Sequence, residues 1–131
     1  MTATESQASI LVADDDEDIL NLVALTLERE GYAVLRARDG VEAVDVALAS
    51  LPDLLVLDVM MPKQDGFAVI RALRDDRATE TTPILLLTAS VQEQHRERGL
   101  QAGADAFVRK PFSPRELLGE IRRLLRPVPA T

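Results

Sequence analysis

The chain has 131 residues, a net charge of −7 at pH 7 and no cysteine. This length predicts a single domain with its own apolar core. The lack of cysteine excludes disulfides, a thiol nucleophile and a cysteine-ligated metal, and the negative charge argues against direct binding of nucleic acid. No apolar run is long enough to span a membrane, and the first nine residues lack the pattern of a secretory signal, so we expect a cytoplasmic domain without a membrane partner.

Five short apolar runs alternate with five amphipathic segments along the chain. The apolar runs predict buried strands, and apolar residues spaced at i, i+3, i+4 and i+7 predict helices between them. The predicted strands are Ile10–Ala13, Tyr32–Ala37, Leu54 into Asp58, Pro83–Leu87 and Ala106–Val108, and the predicted helices contain Leu20–Leu27, Val41–Leu48, Phe67–Leu73, Val91–Ala102 and Leu117–Leu125. Helices that connect successive strands require a parallel sheet with right-handed crossings, which is a doubly wound α/β architecture.

Short polar signals mark where the helices begin and end. Asp39 and Asp65 predict N-caps, Ser113–Glu116 predicts a capping box, and Gly31 predicts the end of the first helix. The segment from Val91 to Ala102 has a poor apolar pattern with Gly99 inside it. We therefore expect this helix to pack loosely.

Reactive side chains stand where the strands end. Asp14 and Asp15 follow the first strand, Asp58 ends the third, Thr88 follows the fourth and Lys110 follows the fifth. Because the carboxyl ends of parallel strands meet at one edge of a sheet, we expect these side chains to converge. Two carboxylates about 4 Å apart repel by roughly 4 kcal/mol at an effective dielectric constant of about 20, so the acids require a cation between them.

This set of groups indicates phosphoryl transfer. An all-oxygen site suits Mg²⁺, while a lysine and a hydroxyl supply a positive charge and a hydrogen-bond donor for phosphoryl oxygens. A carboxylate in such a site can itself be the nucleophile and form an acyl phosphate.

Simpler interpretations apply to some of the neighbouring residues. Asp16 is expected to cap a helix and do nothing else. An EF-hand loop that starts at Asp14 is excluded, because Ile19 and Leu25 occupy the positions that require glycine and glutamate. His95 is the only histidine, and we expect it to be a solvated surface residue without a role.

Four segments carry a family resemblance, namely ILVADDDEDIL, LLVLDVMMPKQDG, PILLLTAS and GADAFVRKPF. In this order and spacing, the chain resembles the receiver domain of bacterial two-component response regulators from about Ser9 to Arg126. The resemblance implies a flavodoxin-like (βα)5 fold, with five parallel strands in the order 2-1-3-4-5 and helices on both faces. Residues 1–8 are then expected to be a flexible lead-in, 9–126 the receiver domain and 127–131 a proline-containing tail.

The resemblance also implies a phosphoacceptor and a metal site. Asp58 matches the phosphoacceptor of the family. Asp14 and Asp15 match the acidic pair that holds Mg²⁺ together with Asp58, and the backbone carbonyl of Met60 matches a further ligand. Mn²⁺ is the alternative ion.

The remaining matched residues concern the phosphoryl group and the switch. Thr88 matches the hydroxyl residue that bonds a phosphoryl oxygen, and Lys110 matches the lysine that pairs with the phosphoryl group. The resemblance also implies a cis Lys110–Pro111 peptide. Phe107 stands where many members of the family carry a tyrosine that turns inward when the Thr88 position moves. A phenylalanine can make the same rotamer change but cannot form the hydrogen bond.

Three functions are compatible with these features. The leading one is a switch that takes a phosphoryl group from a sensor histidine kinase or phosphotransfer protein, and that catalyses only its own phosphorylation and dephosphorylation. Its output would be altered contact with an effector protein, with an output domain removed from the chain, or with a second copy through the face of the fourth helix, fifth strand and fifth helix. The alternatives are a binding module that does not use phosphorylation and an aspartate-nucleophile phosphatase, whose motif spacing Asp14 and Asp16 satisfy.

Overall fold

Five strands form one parallel sheet in this computed structural model, which describes residues 7–59, 61, 65–88 and 93–125. The strands are β1 (Ser9–Ala13), β2 (Ala33–Ala37), β3 (Leu54–Asp58), β4 (Ile84–Thr88) and β5 (Ala106–Arg109). Their spatial order is β2-β1-β3-β4-β5, and every neighbouring pair is parallel. The predicted fold class and strand order are therefore confirmed.

Helices cover both faces of the sheet. They are α1 (Glu17–Arg29), α2 (Gly40–Ser50), α3 (Gly66–Arg74), α4 (Glu93–Ala102) and α5 (Pro114–Leu125). One apolar cluster joins α1 and α5 to the sheet, and a second joins α2 and α3 to the opposite face. Within the described part of the chain, no helix combines the length and apolarity needed to cross a membrane.

Aspartate side chains cap three helices as their sequence positions predict. Asp16 Oδ1 accepts the backbone N–H groups of Asp18 and Ile19, at 3.0 and 3.2 Å. Asp39 and Asp65 accept the N–H groups three residues further on, at 2.8 and 2.9 Å. These contacts satisfy N–H groups that an α-helix leaves without an internal partner, so they fix where each helix starts beside a strand end.

Gly99 lets α4 approach the sheet closely. Gly99 is buried, and a Cβ atom at this position would lie only 2.5 Å from Leu86 Cδ1 on β4. The glycine therefore lets the helix backbone approach the Leu86 side chain at this point, and the loose packing expected for the rest of the helix stays a prediction.

One arginine joins the loops at the amino edge of the sheet. The side chain of Arg74, the last residue of α3, is 20% exposed. Its guanidinium group donates to the carboxylate of Asp105 at 3.0 Å and to the carbonyl oxygens of Thr79, Glu80, Thr82 and Gly103 at 3.3, 3.0, 2.8 and 2.8 Å. Gly103 has a φ angle of +118°, and a Cβ atom there would lie 3.0 Å from the Arg74 side chain. This network ties the loop before β4 to the loop before β5.

Candidate functional site

The carboxyl ends of β1, β3 and β5 bring four charged side chains together. Carboxylate oxygens of Asp14, Asp15 and Asp58 all lie within 4.8 Å of one another. Lys110 Nζ lies 2.9 Å from Asp14 Oδ2 and 3.6 Å from Asp58 Oδ1. The structure thus shows the convergence of these four side chains that their positions after parallel strands predict.

Burial makes the charge balance of this acidic cluster important. Asp14 and Asp58 are 1% and 6% exposed, Asp15 is exposed, and the Lys110 side chain is 13% exposed. Three carboxylates and one ammonium group leave two negative charges in excess. A nearly buried carboxylate stays ionised only with nearby positive charge or hydrogen bonds. A divalent cation with a preference for oxygen ligands would restore neutrality, so the residues fit Mg²⁺ or Mn²⁺.

Asp14 is held at both carboxylate oxygens. Its Oδ1 accepts the backbone N–H of Asp16 at 2.9 Å, and its Oδ2 accepts from Lys110. Its own backbone N–H donates to the carbonyl of Ala37 at 3.1 Å, which ties the end of β1 to the end of β2. The position of this carboxylate is therefore fixed by the backbone of two strands and a helix start.

Gly66 is a residue of the site that its sequence pattern does not reveal. A Cβ atom at Gly66 would lie 2.8 Å from the carbonyl oxygen of Asp58 and 2.9 Å from Val59 Cα. Its N–H donates to the carbonyl of Val59 at 2.9 Å. In the sequence, Asp65-Gly66 has the pattern of an ordinary cap and turn. In the fold, the first residue of α3 packs directly on the backbone of Asp58.

Thr88 lies on β4, the neighbour of β3, and Phe107 lies on β5, the neighbour of β4. Thr88 ends β4 and is fully buried, and its carbonyl oxygen accepts the backbone N–H of Lys110 at 2.7 Å. Phe107 is half-buried, stands opposite Leu86 on the neighbouring strand and packs against the apolar cluster on the α2 and α3 face. The Lys110–Pro111 peptide is cis, as expected.

The side chains of two further residues considered in the sequence lie outside the described part of the structure. Met60, expected to give a carbonyl ligand, lies outside the described residues. The side chain of His95 also lies outside the described part of the structure.

An ion pair beside the acidic cluster was not predicted. Arg38 follows β2, and its Nε donates to Glu17 Oε1 at the start of α1. The hydrogen bond and the charge of Glu17 raise the pKa of Arg38 above its usual value. In the sequence, Arg38 is one of 15 lysines and arginines, and only the fold shows that it faces the first turn of α1.

Comparison with known proteins agrees with this geometry. A family model described as the response regulator receiver domain matches residues 10–122. The chain is 48% identical over 117 residues to the alkaline phosphatase synthesis transcriptional regulatory protein PhoP of Bacillus subtilis, covering 89% of this chain and 48% of that protein. It is 46% identical to the transcriptional regulatory protein CpxR of Escherichia coli, with 89% and 49% covered. The chain thus spans about half the length of these relatives.

Solved structures show the same fold. The chemotaxis response regulator CheY4 of Vibrio cholerae superposes with a TM-score of 0.87 at 36% identity, covering 92% of this chain and 100% of that one. The receiver domain of sensor histidine kinase PA1611 from Pseudomonas aeruginosa has a TM-score of 0.86 at 30% identity, covering 92% and 98%, and was solved with a magnesium ion coordinated in its active site cleft. On the matched residues, the identities and the fold, this chain belongs to the response regulator receiver domains of two-component signal transduction.

Proposed function

We propose that Asp58 is the phosphoacceptor of this receiver domain and that its phosphorylation switches protein contacts. The observation that supports this most is the position of Asp58. Asp58 is 6% exposed at the carboxyl edge of the sheet. Its carboxylate shares an oxygen cluster with Asp14 and Asp15 and lies 3.6 Å from the ammonium group of Lys110. Such a carboxylate is shielded from bulk water and has positive charge beside it for an incoming phosphoryl group.

The proposed reaction forms one bond and breaks one. An oxygen of Asp58 attacks the phosphorus of a phosphohistidine on a sensor histidine kinase or phosphotransfer protein. The phosphorus–nitrogen bond breaks, and its electron pair stays on the imidazole, which takes up a proton. Lys110 neutralises charge on the transferred oxygens and Thr88 donates a hydrogen bond to one of them.

Asp14, Asp15 and Asp58 are the described residues that would hold Mg²⁺, or Mn²⁺ in its place. When bound, the ion supplies further positive charge to the phosphoryl oxygens. The Met60 carbonyl remains a predicted ligand.

The output follows from the added charge. Aspartyl phosphate is an acyl phosphate whose oxygens carry nearly two negative charges. It replaces the single charge of the Asp58 carboxylate, so phosphorylation would add about one negative charge at this edge. Attraction of Thr88 toward the phosphoryl oxygens would vacate space beside Phe107, whose turn inward would remodel the face of α4, β5 and α5. That face would then contact an effector, an output domain of a longer protein, or a second copy. We place the reaction in the cytoplasm, where kinases make phosphohistidine from ATP.

Intact-mass measurement after incubation with acetyl phosphate and Mg²⁺ tests this proposal. The wild type is expected to gain one phosphoryl group, and Asp58→Asn none. Asp16→Asn is the matched control, because asparagine keeps the helix cap and removes a neighbouring acid outside the cluster. Chelation of the metal should prevent labelling of the wild type. Equal labelling of wild type and Asp58→Asn would refute the role of Asp58.

The phosphatase alternative is disfavoured by the position of Asp16. That reaction would need Asp14 as nucleophile and Asp16 as its acid–base partner. Asp16 Oδ1 instead accepts two backbone N–H groups of α1, and both oxygens of Asp14 already accept hydrogen bonds. Single labelling of the protein without continued turnover of a phosphate ester would agree with this.

A further inference from the structure

One ion pair joins the two loops that border the acidic cluster. Glu17 lies two residues beyond Asp15, so their Cα atoms are at most about 7.6 Å apart. Arg38 directly follows Ala37, whose carbonyl oxygen accepts the backbone N–H of Asp14 at 3.1 Å. The backbone positions that carry Arg38 and Glu17 therefore both border the acidic cluster.

The fold does not depend on this pair. The Arg38 and Glu17 side chains are 54% and 53% exposed, and exposed ion pairs contribute little to stability. The backbone N–H of Arg38 is held separately, by Glu42 Oε1 at 2.6 Å. The start of α1 is held separately by the Asp16 cap. The pair adds one positive and one negative charge at this position. The neighbouring site would bind two ligands of opposite charge, a metal cation and an anionic phosphoryl donor.

We propose that the charges of Arg38 and Glu17 set how strongly the site binds each of its two ligands, the metal ion and the anionic phosphoryl donor. Arg38 favours the anionic phosphoryl donor and opposes the metal ion, whereas Glu17 favours the metal ion and opposes the donor. The donor half of this inference rests on the proposed function, and the metal half rests only on the acidic cluster.

The expected effects are modest and depend on salt. A unit charge on the order of 10 Å away through water changes the binding of a singly or doubly charged ligand by about two- to four-fold. The Debye length is about 30 Å at 0.01 M ionic strength and about 3 Å at 1 M. The effect should therefore be present at low ionic strength and absent at high ionic strength.

The chain offers a matched control pair far from the site. Arg122 Nη2 lies 2.8 Å from Glu30 Oε1, and these side chains are 56% and 40% exposed. Glu30 follows the last residue of the 13-residue helix α1, so it lies about 20 Å along the helix axis from Glu17. Arg122→Gln and Glu30→Gln change the net charge by the same amounts as Arg38→Gln and Glu17→Gln.

The test compares these four variants of the whole chain with wild type at both ionic strengths. Isothermal titration calorimetry gives the dissociation constant for Mg²⁺, and intact-mass kinetics give KM for acetyl phosphate. At low ionic strength, Arg38→Gln is expected to tighten Mg²⁺ two- to four-fold and raise KM, and Glu17→Gln is expected to do the reverse. Both shifts should vanish at high ionic strength, and the control pair should show smaller shifts.

Both variants break the same ion pair, so a merely structural role predicts shifts in the same direction, and that result would overturn the inference. Equal shifts in the control pair would also overturn it, since overall charge would then explain them. If wild type binds Mg²⁺ but Asp58 is never labelled, the proposed function fails. In that case, opposite shifts in Mg²⁺ affinity would still support the inference, and parallel shifts would refute it.

Discussion

Asp58 ends a strand whose other four residues are buried leucine and valine. Because burial disfavours a charged group, a carboxylate at this position needs the positive charge that the chain provides beside it. Lys110 lies 3.6 Å away, and Asp58 is 6% exposed. The same surroundings favour a nucleophile over a solvated surface acid, because an incoming phosphoryl group meets the lysine with little competing solvent.

Two glycines with opposite surroundings give a direct test of the packing beside Asp58. Gly66→Ala is expected to destabilise the protein by about 1–3 kcal/mol, because the new methyl group meets the backbone of Asp58 and Val59 at under 3 Å. Gly119→Ala is expected to stabilise it by about 0.5–1 kcal/mol, because Gly119 is exposed within α5 and nothing lies within 4 Å of its Cβ position. Urea denaturation measures both free energies of unfolding. Changes of equal sign would contradict this description.

Substitution of Asp15 is expected to change metal binding without disrupting the fold. It is the exposed member of the acidic cluster, so Asp15→Asn should weaken Mg²⁺ binding without loss of the fold. In metal-free buffer the variant is expected to be at least as stable as wild type, because a repulsive charge has gone.

Thermal unfolding with and without Mg²⁺ measures this difference. Wild type should gain about 2.7 kcal/mol when the metal concentration is 100 times its dissociation constant, and Asp15→Asn should gain much less at the same concentration. Asp45→Asn, which removes an exposed acid on α2, is the control and should respond like wild type. Equal stabilisation of Asp15→Asn would show that the ion binds elsewhere.

Among the elements, the loops before β4 and β5 are held together by one side chain of α3. Arg74 bonds four loop carbonyls and Asp105, and Gly103 provides the space for its side chain. Arg74→Ala is expected to lower the free energy of unfolding by about 2 kcal/mol, because some of these carbonyl groups would lose a charged donor.

Arg71, exposed on the same helix, is the control for this prediction. Arg71→Ala should change the free energy of unfolding by no more than about 0.5 kcal/mol. Hydrogen exchange should also quicken at the amide of Asp105, which donates to the carbonyl of Ile84, in Arg74→Ala alone. Equal effects of the two substitutions would show that Arg74 is an ordinary surface residue.

Element boundaries were predictable where their cause is local. The N-caps at Asp39 and Asp65 follow from a side chain and N–H groups within three residues of it. The role of Gly99 was not predictable in this way, because a glycine in a helix is compatible either with loose packing or with close approach of the helix to a neighbouring element. Only the position of the Leu86 side chain on β4 shows that the helix comes close to the sheet at this residue.

For the whole molecule, parallel connection of the strands explains why the site could be anticipated. All five strands end at one edge, so acids and a lysine that follow different strands must come near each other. The contacts of Arg38 and Gly66 were not predictable for the converse reason. Arg38 pairs with Glu17, 21 residues earlier in the chain, and Gly66 meets the backbone of Asp58 only once the intervening loop is folded. Neither is an unusual residue type at its position.

The most direct measurement is to locate the phosphoryl group itself. After labelling with acetyl phosphate and Mg²⁺, borohydride reduces an aspartyl phosphate to homoserine, and peptide sequencing by mass spectrometry then identifies the modified position. The proposed role of Asp58 predicts homoserine at position 58 in wild type and at no acidic residue in Asp58→Asn. Homoserine at position 14 or 15 in wild type, with Asp58 unchanged, would contradict it.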